Sequence, residues 1–316
     1  MNAGVHLAHR LMRGDRRALA RLLTWIENGP RDDSREVASL LFHASGHAHT
    51  VGITGPPGVG KSTLTDKLIG LIRTRGENVG VIAVDPSSPF TGGAILGDRI
   101  RMESHAEDGG VFIRSMATRG RLGGLAIAVP EAIRALDAYG LGWVIVETAG
   151  VGQVEVEVMH ASDTTVVVLN PGWGDHIQVS KAGLLEIADI FDINKADRPE
   201  ASRAATDLRA EINLGRNLGW HRPVITTIAL TGEGLKDLLA AIEEHQSFLE
   251  QDKAFERRRY QQLESELRAA ITELLSARAD AFLRSEASTV LRDVIDRKID
   301  PYSAAELVLR GSLASR

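Results

Sequence analysis

The residues Gly55-Pro56-Pro57-Gly58-Val59-Gly60-Lys61-Ser62, with Thr63 next in line, follow the spacing G-x-x-x-x-G-K-[ST]. They stand between the apolar run VGIT and the helix-forming stretch STLTDKLIGLI, the strand-to-helix context in which that spacing has a mechanical meaning. Glycines let successive backbone N–H groups converge on phosphate oxygens, and the helix that follows directs its positive end at the same point. Lys61 is placed to reach β and γ phosphates, and Ser62 to give a hydroxyl to Mg²⁺. Such a loop binds a nucleoside triphosphate.

A second group, Asn194-Lys195-Ala196-Asp197, follows the run IADIFDI. A carboxylate at Asp197 can accept from both the N1–H and the exocyclic amino group of guanine. Adenine offers no such donor pair and would leave the acid unpaired, so the box favours GTP and GDP over ATP. Ala229 and Leu230, in Thr227-Ile228-Ala229-Leu230 after the next strand, are placed to add a backbone contact to the base.

Acids stand at strand ends between these anchors: Asp85 after VIAV, Asp98 in GGAILGD and Glu147 after WVIV. Mg²⁺ takes oxygen ligands and retains waters, so a few carboxylates near the γ-phosphate are the expected hardware, while for any single strand-end acid helix capping is the commoner explanation. Glu147 stands out because Thr148-Ala149-Gly150-Val151-Gly152-Gln153 continues the run, and its glycines permit a loop that moves when the γ-phosphate leaves. His43, His47 and His49 form H-x-x-x-H-x-H without a neighbouring carboxylate and are read as a surface connector, not a metal site. Arg99, Arg101, Arg114, Arg119 and Arg121 are open to phosphate, a partner or solvated ion pairs.

The elements that must position these residues follow from periodicity. Leu19, Leu22, Leu23 and Ile26 recur at helical steps, giving a helical extension over 1–45. From there to about residue 250, HTVGITG, NVGVIAVD, GVFIRSM, GWVIVET, TTVVVLN, ADIFDIN and RPVITTIAL alternate with helical stretches. Apolar runs of this kind predict an α/β domain over 46–250 with a mostly parallel sheet covered on both faces. Beyond it, Tyr260, Leu263, Leu267, Ile271 and Leu274 mark a long amphipathic helix in a C-terminal arm, 251–316, which packs on its own domain or on a second subunit. Pro301 restarts a last short helix, Ser303 to Leu309.

Composition narrows the partners. Of 316 residues, 37 are Lys or Arg and 42 Asp or Glu, a net charge of −5, which offers no global basic field for nucleic acid or an anionic membrane. With no cysteine there is neither a disulfide framework nor a thiolate metal site. The N-terminus has no secretory apolar core and no run of 18 apolar residues occurs, so a cytoplasmic protein is expected.

Taken in order, GITGPPGVGKST, VDPSSPFTGGAILGDRIRM, RSMATRG followed by GGLA, ETAGVGQVEVEV, GDHIQVSKAGLLEIADIF and NKAD resemble the MeaB/ArgK family of G proteins, from about residue 5 to the C-terminus. The resemblance implies a P-loop fold and a GTPase that gates cofactor loading and protection of an adenosylcobalamin-dependent acyl-CoA mutase, acting as a homodimer held by C-terminal helices. It also implies Mg²⁺ near Ser62, Asp85, Asp98 and Glu147, a switch I at Asp98 to Met102 and a switch II at Glu147 to Glu157. A third switch, Asp175 to Lys181, would speak to the mutase. Lys61, Glu147, Gln153, Asp175 and Lys181 are the expected catalytic group. Trp173, His176 and Ala182 depart from the pattern frequent in methylmalonyl-specific members, which leaves isobutyryl-CoA and 2-hydroxyisobutyryl-CoA mutases open as partners. The rival reading is a P-loop kinase or transport-associated ATPase.

Overall fold

The apolar runs pair into a single parallel sheet, because the central ones are buried on both faces and can satisfy their backbone only through neighbouring strands, while those at the two edges are partly exposed. In the computed structural model the described residues are 3–28, 34–85, 103–105, 107–117, 124–148, 160–172, 185–214, 219–251 and 254–314. The strands are β1 (His49–Thr54), β2 (Val79–Asp85), β3 (Val111–Ala117), β4 (Trp143–Thr148), β5 (Thr164–Leu169), β6 (Ile190–Asn194) and β7 (Val224–Thr227). Their order across the seven-stranded sheet is β3-β2-β4-β1-β5-β6-β7. All pairings are parallel.

Helices cover both faces. On one side α1 (Ala3–Leu11), α2 (Arg16–Asn28), α3 (Ser34–Ala44) and α5 (Gly124–Ala138) enclose a core in which Leu19, Leu22 and Leu23 meet Val144 and Val146. The helical extension is thus part of the sheet's cover. Asp15 starts α2 by accepting the N–H groups of Arg17 and Ala18 at 2.9 and 3.0 Å. Farther along the same face, α6 (Ala201–Leu214) packs Ala205 near Phe191, Ile193 and Val224. On the opposite face α4 (Lys61–Thr74) and α7 (Leu235–Gln251) bring Leu64, Leu68, Leu238 and Leu239 against Ile53, Val81, Ile145 and Val168.

Strand order reverses at β1, whose neighbours are β4 and β5, and the carboxyl edge there is where ligands bind in open parallel sheets. The amino edge carries a polar network instead. Thr164 Oγ1 lies 2.8 Å from His245 Nδ1 and 3.2 Å from His49 Nε2. Asp189 accepts both guanidinium nitrogens of Arg258, at 2.9 and 2.7 Å, and the Thr165 N–H at 2.7 Å. The surface-connector reading therefore holds for His47, is half right for His43, which is exposed but lies in the last turn of α3, and fails for His49, which is buried in β1 edge-on to Trp143. Its position as the first residue of a two-face-buried strand is the reason.

The chain divides into two compact units, Met1–Gln262 and Leu263–Arg316. Helix α8 (Ala254–Ile295) begins in the first, and α9 (Pro301–Ala314) ends the second. Along α8, Leu263, Leu267, Ile271 and Leu274 are all exposed at helical spacing. Among the described residues no helix is long and apolar enough to cross a membrane.

Candidate functional site

The glycine-rich loop leaves the carboxyl end of β1 and enters α4 at Lys61. Gly55 and Gly60 have φ of +145° and +104°, a backbone region side chains disfavour. Space forbids a side chain there as well. A Cβ on Gly55 would sit 2.1 Å from Val168 O, and one on Gly60 would sit 2.4 Å from Asn194 Nδ2. Pro57 and Gly58 are exposed at the crest, while Val59 is buried beneath it. Lys61 and Ser62 are buried at the helix start, and Thr63 is half-buried beside them. Lys61 Nζ donates to Gly55 O at 2.8 Å and Pro56 O at 2.9 Å, so its charge lies over the loop that its own helix dipole points into.

Ser62 Oγ donates to Glu147 Oε1 at 2.6 Å. One residue along β4, Thr148 Oγ1 donates to Thr54 Oγ1 at 2.9 Å. A hydroxyl and a buried carboxylate thus converge where the phosphate loop opens into its helix, and both are hard oxygen donors of the kind Mg²⁺ takes. Asp85 is the last residue of β2, at the same edge of the sheet. Asp98, Gln153, Asp175 and Lys181 lie outside the described residues, as do Trp173, His176 and most of the three expected switch segments.

Asn194 ends β6 and ties the site together. Its Nδ2 donates to Val59 O at 2.8 Å, and its Oδ1 accepts the Ala229 N–H at 3.0 Å. One buried carboxamide therefore fixes the phosphate loop and the 229–230 segment relative to each other. Lys195 turns the chain with φ of +60° and donates through Nζ to Gly58 O at 2.8 Å. Ala196 N–H bonds Thr227 O at 3.0 Å; Asp197 is exposed, and Leu230 is 82% exposed. The Asp197 carboxylate makes no hydrogen bond among the described residues. The arrangement offers a phosphate-binding end, an oxygen-rich pair for a cation and an acid that can take donors from a planar base.

Sequence reasoning named Asn194 as part of a base-reading box without anticipating that it would hold the phosphate loop. It passed over Asp192, a buried acid on the same strand whose signal was a carboxylate interrupting an apolar run.

A parallel sheet with a phosphate loop after its first strand and an Asn-Lys-x-Asp turn two strands away defines a P-loop NTPase of the guanine-binding kind. Comparison with known proteins agrees. The family of methylmalonyl Co-A mutase-associated GTPases, MeaB, matches residues 19–283, and the chain belongs to this family. It is a GTPase family, and GTP and GDP are its nucleotides. A relative in Pyrococcus abyssi (strain GE5 / Orsay) is 50% identical over 309 residues, 96% of this chain and 95% of its own. A fused isobutyryl-CoA mutase of Cupriavidus metallidurans is 41% identical over 214 residues, 66% of this chain and 19% of its own. Among solved structures, a LAO/AO transport system kinase superposes with a TM-score of 0.71 at 26% identity, covering 98% of this chain and 97% of that one.

Proposed function

We propose that this GTPase is a chaperone of an adenosylcobalamin-dependent acyl-CoA mutase, gating cofactor loading and protection by binding and hydrolysing GTP. One observation carries the partner: in the fused isobutyryl-CoA mutase, a segment alignable with two thirds of this chain is covalently part of a mutase. A module joined to an enzyme in one protein is a natural free-standing partner of that enzyme in another.

In this reading the triphosphate lies along residues 55–63 with its base between Ala229–Leu230 and Asp197. Gly55, Gly58 and Gly60 bring backbone N–H groups to the phosphates. Lys61 moves its ammonium from the Gly55 and Pro56 carbonyls to the β and γ oxygens. Ser62 and Glu147 hold Mg²⁺, with Asp85 and Asp98 joining directly or through water. When bound, Mg²⁺ neutralises charge that develops between the β- and γ-phosphates. Asn194 and Lys195 keep the loop in register with the base, and Asp197 selects guanine by accepting two donors. Gln153, Asp175 and Lys181 belong to segments that complete the hydrolytic set when the mutase docks, Lys181 supplying positive charge near the γ-phosphate. The arm, 251–316, pairs two copies through the stripe exposed on α8, and the protein works in the cytoplasm.

The test is GTP turnover measured with and without an adenosylcobalamin-dependent acyl-CoA mutase. Slow turnover alone and a clear rise with mutase is expected; identical rates at saturating mutase would refute the partner. A second reading, in line with the transport-system kinase named for the similar structure, transfers the γ-phosphate to an acceptor. Radiolabel from the γ position appearing on anything but inorganic phosphate would favour it.

A further inference from the structure

Strand β6 is apolar except at one interior position. Asp192 has no solvent exposure and stands two residues before Asn194. Alternation along the strand puts it on the same face as Ile190, and the register sets it beside Val168 of β5 and Ile225 of β7. Its Oδ2 lies 3.0 Å from Thr227 Oγ1, while its Oδ1 has no hydrogen-bond partner among the described residues. Thr227 Oγ1 lies in turn 3.4 Å from Asn194 Oδ1, the atom that accepts Ala229 N–H. These contacts form a line from a buried acid to the residue that joins the phosphate loop to the base segment.

A carboxylate in such a place would be desolvated without a countercharge, so the neutral acid is the form of lower free energy. Burial pushes Asp192 up to about 7, opposed only by the Thr227 hydrogen bond. The elements packed on this layer present Lys61 from α4, Glu147 from β4 and His245 from α7, and none of them contributes to the shift. Lys61 is held over the Gly55 and Pro56 carbonyls, Glu147 receives Ser62, and His245 bonds Thr164 at the opposite edge.

We infer that Asp192 is a positioning residue of the nucleotide site, a neutral acid that donates to Thr227 so that Thr227 donates to Asn194. Thr227 has one hydroxyl hydrogen. While Asp192 is protonated it supplies the hydrogen between the two side chains, and that of Thr227 is free for Asn194 Oδ1. Once Asp192 is ionised, the Thr227 hydrogen turns to the carboxylate, the stronger acceptor, and Asn194 Oδ1 keeps only the Ala229 N–H. The carboxamide that aligns loop and base is then held by one bond fewer, and nucleotide affinity falls as pH rises past neutrality.

This role rests on the base lying against Asn194 and Asp197. The experiment is calorimetric titration of the full chain with GDP from pH 5.5 to 8.5, for the wild type and Asp192→Asn in parallel, with ADP as a control. An amide at 192 donates permanently to Thr227, and the ratio of the two affinities cancels the titration of GDP itself. The wild type is expected to weaken about three- to tenfold relative to Asp192→Asn across neutrality, the worth of one neutral hydrogen bond. In the Thr227→Val background the ratio should lose its pH dependence, because the relay has no middle. If GDP is preferred over ADP and the wild-type to Asp192→Asn ratio stays constant, the role of Asp192 is overturned while the base site stands. If GDP and ADP bind alike, the base site fails and the role falls with it. Should Asp192→Asn fold poorly, infrared spectra of wild type carrying ¹³C-labelled aspartate decide: a protonated carboxyl band that persists at pH 6 and vanishes by pH 8.5 is expected, and its absence at pH 6 overturns the proposal.

Discussion

Replacing Gly60 by alanine should damage the site through two separable effects. The first is the backbone: at φ of +104° an L side chain is strained, at a cost of about 1–2 kcal/mol. The second is the collision, because the new Cβ would lie 2.4 Å from Asn194 Nδ2. To clear it the carboxamide must rotate or retreat, and it then forfeits its bonds to Val59 O at 2.8 Å and from Ala229 N at 3.0 Å. At about 1 kcal/mol for each buried bond lost, the two effects sum to about 3–4 kcal/mol. Gly58→Ala is the internal control. Gly58 also has positive φ, +75°, but a Cβ there meets nothing within 4 Å, so only the backbone effect applies. Urea unfolding of the nucleotide-free chain should therefore rank Gly60→Ala below Gly58→Ala by about 2 kcal/mol, and GDP affinity should fall at least tenfold more in Gly60→Ala. Equal losses in the two variants would refute the claim that Asn194 braces the loop.

Three further outcomes are expected. Ser62→Ala and Glu147→Gln should each lower GTP turnover more than GDP binding, and chelation of Mg²⁺ should abolish turnover; hydrolysis that survives chelation would contradict the cation pair. Lys181→Ala should leave GTP affinity and basal turnover nearly unchanged while removing most of the mutase-stimulated increment, and undiminished stimulation at saturating mutase would exclude that lysine. Burial pushes His245 down from 6.5 to about 4, so on acidification between those values the unfolded chain takes up a proton that the folded one refuses, and stability falls. Asp192, raised from 3.8 to about 7, works in the opposite sense, its folded form holding a proton and gaining stability as pH drops. The two offset in the wild type; Asp192→Asn should lose about 1.4 kcal/mol per pH unit more than wild type between pH 6.5 and 4.5 in urea unfolding, and parallel curves would contradict it.

The strands were legible because each is an apolar, β-branched run bounded by polar residues, and all seven such runs form the sheet. The phosphate loop was legible because its spacing encodes backbone geometry, and the glycines at 55 and 60 occupy the positions where a Cβ has no room. The order of the strands was not, since pairing between β1 and β4 is decided by how α4 and α5 cross the sheet and leaves no local mark. His49 was misread for a related reason: a histidine beside exposed histidines looks polar until the pairing of β1 with β4 lays it edge-on to Trp143. The bracing by Asn194 and the line through Thr227 to Asp192 join segments far apart in sequence, and only the packing of β6 against β7 brings them together. The clamp of Arg258 on Asp189 belongs to the same class.

The proposal that Asp197 reads a guanine held over the loop at 55–62 is tested by competition binding of GTP, ATP and XTP to the wild type and to Asp197→Asn. The wild type should prefer GTP strongly. In Asp197→Asn the amide places a donor where the carboxylate could only accept, so GTP should weaken by about ten- to a hundredfold while XTP, whose C2 oxygen replaces the amino group, gains. Equal affinity of the wild type for ATP and GTP, or an unchanged preference in Asp197→Asn, would contradict the claim.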